Sequence, residues 1–221
     1  MSTTIVTITA QSCAGKSTLA DQLVATGYFS EIVSTTSRVP RGGEIDGVDY
    51  HFVAPEALDD IEMLERITFN GNTYGGSIAE FEKHFATGLI PVIVVEPNGM
   101  NQININAEKK GWTVINVFLE CRKDVQARRF LERFFKEVRS LGFTIDAEKA
   151  HAVEEAAEKL QDEYVNRMVS MQEIETQWPM MFQDMKSAQH IRLPMFNEST
   201  ERYCVETIGE MCKIGSNREV V

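Results

Sequence analysis

The sequence lacks the features that mark several protein classes. Its longest aliphatic stretch, 89–95, has the length of a strand, well short of the run of about 18 apolar residues that predicts a membrane helix. The four cysteines form no C-x-x-C pair and lie at no metal-ligand spacing from a histidine. The four histidines share no spacing and are interpreted as structural or exposed. We therefore expect no disulfide framework, no zinc site and no membrane contact, and a cytoplasmic location.

Basic residues are also scarce, with 22 Lys and Arg against 33 Asp and Glu and a formal net charge of −11. Non-specific nucleic-acid binding requires a broad basic surface, so we expect no nucleic-acid partner. An anionic small molecule is not excluded, because a few arginines and lysines can dominate the field inside a pocket. With 221 residues, 43% of them hydrophobic, the chain is long enough to bury a substantial core.

Apolar patterning predicts strands that alternate with helices. The predicted strands are 3–9, 32–36, 50–53, 89–95 and 114–119, and the predicted helices include 18–25, 55–64 and 77–87. The last two strands are continuous apolar runs, which are typical of parallel strands covered on both faces. The alternation predicts an α/β protein with a parallel core sheet flanked by helices.

A phosphate-binding loop follows the first strand. Residues 10–17 are Ala-Gln-Ser-Cys-Ala-Gly-Lys-Ser, which match G-x-x-x-x-G-K-[ST] with alanine at the first glycine. Backbone N–H groups at such a turn bind anions, Lys16 would reach the β- and γ-phosphates of ATP, and the Ser17 hydroxyl would ligate Mg²⁺. The predicted ATP-binding residues are Ser12, Cys13, Ala14, Gly15, Lys16, Ser17 and Thr18. Cysteine fits position 13 only if the backbone there does not need a positive φ, a conformation that favours glycine.

A second anion-binding segment spans residues 34–50. Arg38 and Arg41 lie three residues apart around Pro40, with two glycines following. This arrangement suits a pair of guanidinium groups that grip a phosphate bidentately, and Tyr50 can donate its hydroxyl to the same oxygens. The sequence therefore predicts a second phosphate site besides the loop.

These two segments resemble the guanylate kinase family of nucleoside monophosphate kinases. The resemblance extends through 69–76, which is similar to the family segment F-x-G-N-x-Y-G, and it is good over roughly residues 4–120. It implies the P-loop nucleoside monophosphate kinase fold in a single kinase domain over 1–221. The implied parts are a core of 1–33, 89–121 and 188–221, an acceptor-binding subdomain of 34–88, and a lid with a helical insertion of 122–187.

The resemblance also implies roles for individual residues. The acceptor nucleotide would be bound by Ser34, Arg38, Arg41, Glu44, Tyr50, Glu65, Tyr74, Gly76 and Glu96. Within this set, Ser34 and Glu65 would face the guanine edge, and Glu44 would orient the arginines. The catalytic cations would be Lys16, Arg38, Arg129 and Arg167, with Arg133 also contacting ATP.

Two features of the lid stay open at this stage. Arg128 competes with Arg129 for the first lid position, and spacing does not separate them. The chain between Arg133 and Arg167 is longer than the family's usual lid. The extra segment, 134–165, would extend the lid or form a homodimer contact.

Three positions depart from the family pattern. Val94 and Glu96 replace an Asp-x-Asp pair, so Mg²⁺ would depend on Ser17, on phosphates and on water. Gly76 replaces a hydroxyl-bearing residue on the acceptor side. These changes leave the acceptor open between GMP, deoxy-GMP and a modified purine monophosphate.

Two other functions are compatible with the same residues. One is a kinase of the same fold with another phosphorylated acceptor, such as a phosphorylated sugar, although Ser34, Glu65 and Tyr74 suit a purine ring better. The other is a non-catalytic, guanylate-kinase-like binding module. Such modules typically lose the phosphate loop, whereas Gly15 and Lys16 are intact here.

Overall fold

The computed structural model describes residues 3–69, 71–140, 188–195 and 197–213. Its strands are β1 (Thr4–Thr9), β2 (Phe29–Glu31), β3 (Thr35–Thr36), β4 (His51–Phe52), β5 (Ile67–Phe69), β6 (Asn72–Gly75), β7 (Ile90–Val94), β8 (Thr113–Glu120) and β9 (Ala188–Pro194). Its helices are α1 (Lys16–Ala25), α2 (Ile78–Ala86), α3 (Pro97–Lys109), α4 (Lys123–Ser140) and α5 (Glu198–Met211), with a 3-10 helix over Pro55–Asp60. Within these ranges, every helix is too short or too polar to cross a lipid bilayer.

The larger sheet is parallel and has the strand order β2-β7-β1-β8-β9. This confirms the parallel core sheet predicted from the apolar runs. β1 lies at its centre with all of its residues buried. Along β1, Val6 and Ile8 pack with apolar residues of α1 and α5, whereas Ile5 packs with those of α2 and α3. The alternation of side chains along β1 therefore buries both faces of the sheet.

Packing holds the two elements that flank the phosphate loop. Leu19 and Leu23 of α1 are fully buried against the core, as are the apolar side chains of β1. Each such side chain stabilises the fold by roughly 1.5–3 kcal/mol through burial. The loop between β1 and α1 is therefore held at both ends by the core.

The smaller sheet has the strand order β4-β3-β6-β5, and all of its strands lie within residues 34–88. β3 pairs in parallel with β4 and antiparallel with β6, which places Thr36 opposite Tyr74. Its strands have two to four residues, so each backbone ladder has few hydrogen bonds. Side-chain contacts must therefore supply part of the rigidity of this sheet.

The strand predicted over 32–36 is wrong as a single element. β2 ends at Glu31 in the parallel sheet, and β3 begins at Thr35 in the smaller sheet. The apolar and β-branched residues between them carry the chain from one sheet to the other. The residues at both ends of this segment favour strand conformation, so the sequence pattern predicted one continuous strand.

The helix predicted over 55–64 is also wrong in type and length. It is a 3-10 helix that ends at Asp60, and Ile61 already has extended backbone angles. The chain then turns inward, since the N–H of Leu64 donates to the carbonyl of Gly76 at 2.8 Å and Leu64 is fully buried. Tertiary burial of the segment's end overrides the helical pattern.

The predicted lid begins with α4, which confirms a helix at this position. Residues 141–187 lie outside the described residues, and with them Arg167 and most of the insertion at 134–165. The predictions made for that part of the chain stay predictions.

Candidate active site

The phosphate loop turns directly from β1 into α1. The N–H of Ala14 donates to the carbonyl of Gln11 at 3.3 Å, and the carbonyl of Gly15 accepts the N–H of Leu19 at 3.0 Å. Gly15 is the N-cap of α1 and has a φ of 102°, a conformation that glycine adopts at no steric cost. The first N–H groups of an α-helix have no acceptor within the helix, so the N-terminus of α1 provides donors beside the loop, as an anion site requires.

Lys16 lies across this loop. Its ammonium donates to the carbonyl of Ala10 at 2.7 Å and to that of Gln11 at 3.2 Å. A phosphate bound by the loop would present oxygens to the same ammonium. Ser17 and Thr18 follow on the exposed side of the first turn of α1, which leaves the Ser17 hydroxyl accessible.

Cys13 has a φ of 60°, so the condition under which cysteine would fit this position without strain is not met. The chain has a cysteine at a position where glycine would be unstrained. Left-handed backbone costs a residue with a side chain roughly 1–2 kcal/mol. Ala10, by contrast, ends the strand without positive φ and is 1% exposed, so alanine fits the first position of the loop.

α4 braces the loop with a side chain that sequence reasoning missed. Gln126 is 3% exposed, and its Nε2 donates to the carbonyl of Ser12 at 2.7 Å. Its partner is a backbone carbonyl that is distant in the sequence, so no spacing of side chains predicts the contact.

Arg129 also contacts the loop. Its Nη1 donates to the carbonyl of Ala14 at 3.1 Å, and its Nη2 lies 3.8 Å from Glu201 of α5. Arg128 is exposed and lies 4.0 Å from Glu132 on the same helix. Geometry therefore favours Arg129 over Arg128 as the donor-side arginine. Arg133 is exposed on α4, and its contact with ATP stays a prediction.

The acceptor-side arginines are organised by one carboxylate. The guanidinium of Arg38 donates to both oxygens of Glu44, at 3.0 and 2.8 Å, and Glu44 also accepts the backbone N–H of Arg41 at 2.7 Å. The hydrogen bond from Arg38, with help from the Arg41 N–H, holds the pKa of Glu44 below its ordinary value. Glu44 thus lies where it can orient the Arg38–Arg41 segment.

Aromatic rings complete this cluster. The Arg38 guanidinium carbon lies 5.4 Å from the centre of the Tyr50 ring and 5.7 Å from that of Phe52. Tyr50 and Tyr74 meet edge to face at 6.0 Å. Burial raises the pKa of Tyr50, which keeps its hydroxyl protonated and able to donate. The structure therefore brings together Arg38, Arg41, Tyr50 and Tyr74, whose donors suit a phosphate, with Glu44 as the acceptor that holds Arg38.

Glu65 is a buried carboxylate that contacts the chain just after β6, at Gly76. It is 4% exposed, and its Oε1 accepts the N–H of Gly76 at 2.8 Å. Burial raises its pKa to about 7, and the Gly76 hydrogen bond opposes that rise without cancelling it. A Cβ atom at Gly99 would lie 3.4 Å from Oε2, so this oxygen faces the start of α3. Glu65 is therefore not a surface charge.

The end of β7 connects the acceptor side to the phosphate loop. The Thr9 hydroxyl, at the end of β1, donates to the carbonyl of Val95 at 2.9 Å. Glu96 follows as the exposed N-cap of α3, and Gly99 on that helix touches Glu65. Parallel strands end at one edge of a sheet, the edge at which α/β proteins bind ligands. The phosphate loop and Glu96 share that edge, and α3 extends it towards Glu65.

Gly76 leaves no room for the hydroxyl that it replaces. A Cβ atom there would lie 2.8 Å from Cε2 of Phe81 and 3.2 Å from Cδ1 of Ile93. The wall beside Glu65 is therefore apolar in this chain. Ser34 is half-buried, and its carbonyl accepts the N–H of His51 at 2.9 Å, while the role predicted for its hydroxyl stays a prediction.

Metal binding would depend on few protein ligands. In the described part of the chain, no three His, Cys, Asp or Glu side chains are grouped to hold a metal ion. Mg²⁺ commonly keeps several waters and is bound by one or two protein oxygens together with phosphates of the substrate. The accessible hydroxyl of Ser17 fits that donor set.

Comparison with known proteins shows the family to which the chain belongs. Residues 1–176 match the guanylate kinase family model. The chain is 38% identical over 99 residues to a guanylate kinase of Chlamydia pneumoniae, a match covering 42% of this chain and 48% of the relative. It is 34% identical over 152 residues to a guanylate kinase of Sus scrofa, covering 66% and 75%, respectively. It is 29% identical over 182 residues to one of Rubrobacter xylanophilus, covering 77% and 92%.

Two further facts qualify these matches. The chain spans about half the length of several bacterial relatives, including 50% of the Histophilus somni guanylate kinase. The crystal structure of guanylate kinase from Anaplasma phagocytophilum superposes with a TM-score of 0.55 at 17% identity, covering 97% of this chain and 87% of that one. This likeness supports the fold.

Proposed function

Since the chain belongs to the guanylate kinase family, we propose that it transfers the γ-phosphoryl group of ATP to GMP, deoxy-GMP or a closely related purine nucleoside monophosphate. The observation that carries the proposal is Glu65, a buried carboxylate whose Oε1 accepts the N–H of Gly76 and whose Oε2 faces the start of α3. A guanine edge offers N1–H and an exocyclic amine, and an ionised carboxylate accepts both. A phosphorylated sugar can offer hydroxyl donors, but it lacks a flat ring edge with two adjacent N–H donors.

The chemistry needs alignment and charge neutralisation more than proton transfer. An oxygen of the acceptor phosphate attacks the γ-phosphorus, the bond to the β–γ bridging oxygen breaks, and ADP and a nucleoside diphosphate leave. The attacking oxygen is already anionic at neutral pH, so no general base is required. Lys16 on the donor side and Arg38 and Arg41 on the acceptor side would neutralise the approaching phosphates.

The donor side would be completed by a metal ion and by the lid. Mg²⁺ bound to Ser17 and to phosphate oxygens would supply positive charge at the β- and γ-phosphates. Arg129 contacts the loop already, and we propose that Arg133 and Arg167 join it as donor-side cations. Exclusion of water by the lid would prevent hydrolysis of ATP.

The test is an assay that couples ADP release to an optical signal, with Mg²⁺–ATP and a panel of acceptors. The panel contains GMP, deoxy-GMP, AMP, CMP, UMP and ribose 5-phosphate. We expect turnover with GMP or deoxy-GMP and its loss when EDTA removes Mg²⁺. Turnover with ribose 5-phosphate alone would favour the sugar-phosphate kinase. Binding of GMP without turnover would favour the binding module.

A further inference from the structure

A polar cluster behind the acceptor site joins three elements of the fold. Glu80 of α2 is 7% exposed, and its Oε1 lies 3.1 Å from Nε2 of His84 on the same helix. Its Oε2 lies 3.5 Å from Nε2 of His51 on β4. The other ring nitrogen of His84 hydrogen-bonds the hydroxyl of Ser30 on β2. The cluster therefore runs from the parallel sheet, through α2, to the smaller sheet.

Both oxygens of Glu80 act as acceptors. Burial alone would raise its pKa, but hydrogen bonds from His84 and Lys83, with the charges of Lys83 and His51, outweigh burial and lower it. The group is therefore an ionised carboxylate. Lys83 lies 3.3 Å from Oε1, but it belongs to α2 itself and its side chain is 66% exposed.

The two ends of the Glu80–His51 contact differ in how firmly they are held. α2 is fixed to the core, because Phe81 and Phe85 beside the cluster are buried and Phe85 packs edge to face on Trp112 at 5.0 Å. β4 is a two-residue strand at the edge of the smaller sheet. The contact therefore ties a weakly held edge strand to a firmly held helix.

β4 also carries the rings that support the acceptor arginine. Tyr50 and Phe52 flank His51 in the chain, and side chains alternate along an extended strand. Both rings pack on the guanidinium of Arg38, at 5.4 and 5.7 Å, while His51 points to Glu80. A shift of β4 away from α2 would therefore move the rings on which Arg38 rests.

We propose that the Glu80–His51 contact is a positioning device for the acceptor site: it sets the place of β4 and, through Tyr50 and Phe52, the place of the Arg38 guanidinium. The proposal rests on the proposed function, since it assigns Arg38 to the acceptor phosphate. Glu80 and His51 are positioning residues that act through Arg38. Loss of the contact should weaken acceptor binding and leave ATP binding intact, because the phosphate loop belongs to the other sheet.

The experiment compares His51→Ala with Lys83→Ala, a matched control that removes a partner of the same carboxylate without touching β4. We expect His51→Ala to raise the KM for GMP about five- to tenfold, the size of coupling common between contacting side chains. The KM for ATP should change less than about twofold. Lys83→Ala should leave both KM values at wild-type level. His51→Gln, which keeps a donor near the Nε2 position, should restore most of the GMP affinity.

Glu80→Gln and the double variant with His51→Ala complete the test. If the contact positions β4, either single substitution already removes it. The double variant should then bind GMP no more weakly than the single variant with the lower GMP affinity. Equal KM values for GMP in wild type and His51→Ala, or equal losses for GMP and ATP, would overturn the proposal. If Glu80→Gln fails to fold, the comparison of His51→Ala with His51→Gln tests the proposal without it. An inactive wild type would instead contradict the proposed function, and calorimetric titration with GMP would still compare the variants.

Discussion

The phosphate loop and the acceptor site are both suited to holding phosphate, but they are built from different groups. The loop uses backbone N–H groups and the N-terminus of α1, held by a buried strand and a buried helix. The acceptor site uses the side chains of Arg38, Glu44 and Tyr50 on a sheet of very short strands. A backbone site tolerates unusual residues as long as φ and ψ are kept, whereas a side-chain site depends on each partner.

This difference bears on the unusual residues of the two sites. The loop accepts alanine at position 10 and a strained cysteine at position 13 while keeping its shape. On the acceptor side, the absence of a side chain at Gly76 is matched by Phe81, whose ring occupies the space. A change in the side-chain site requires a second change nearby, because packed interiors leave few voids.

The largest effect on activity is expected from a substitution on the donor side. Lys16→Ala removes the charge that would neutralise the transferring phosphoryl group, and we expect kcat to fall by at least about 10³-fold. The fold should persist, since the contacts of Lys16 are with loop carbonyls. Steady-state kinetics with circular dichroism as the folding control checks this. Unchanged turnover would remove the basis for assigning the phosphate loop.

The next effect concerns base recognition on the acceptor side. Glu65→Gln keeps an oxygen for the Gly76 N–H but replaces one acceptor of the guanine edge with a donor. We expect the KM for GMP to rise about 10- to 100-fold, the cost of an unpaired polar group in a recognition site, with little change for ATP. Equal losses for both substrates would argue against base recognition by Glu65.

The same substitution should stabilise the protein at alkaline pH. In the folded state the pKa of Glu65 is about 7, against 4.5 for an ordinary glutamate, so the unfolding free energy falls as pH rises between these values. Glutamine does not titrate, and at pH 8 the variant should gain on the order of 1–3 kcal/mol. Urea unfolding at pH 5 and pH 8 measures the difference, which should appear only at the higher pH.

A smaller effect follows from pH alone. Guanine recognition requires the ionised form of Glu65, so acceptor affinity should be lost as pH falls through about 7. Between pH 8 and pH 6, kcat/KM for GMP should fall about tenfold more than kcat/KM for ATP. The Glu65→Gln variant should lack this differential loss. If the wild type and the Glu65→Gln variant showed the same pH profile, the assignment of Glu65 to base recognition would be contradicted.

The smallest effect sharpens the comparison within the loop itself. Cys13→Gly relieves a left-handed residue and should stabilise the protein by about 1 kcal/mol, with activity within about twofold of wild type. Ala10→Gly restores a glycine at the other unusual position, where φ is not positive, and should destabilise by about 0.5–1 kcal/mol. Thermal unfolding measures the change in stability of each variant. Stability changes of the same sign in both variants would refute the role assigned to φ.

Local motifs were predictable because their residues are neighbours in the chain. The loop at 10–17, the Arg38–Arg41 pair and the apolar strands of the core each lie within one short segment. Cysteine fits position 13 without strain only at a φ that is not positive, and the loop does not meet that condition. The prediction was wrong for 32–36 and 55–64, where burial or a change of sheet decided the element.

The sequence by itself determined that strand, loop and helix follow one another around a phosphate-binding turn, since hydrogen bonding and steric preference act between near neighbours. Tertiary structure alone decided that Glu65 is buried with a raised pKa, that Gln126 holds the loop from 114 residues away, and that Glu80 meets His51. Desolvation and side-chain packing depend on what other segments bring to the same place, and no local pattern specifies those partners.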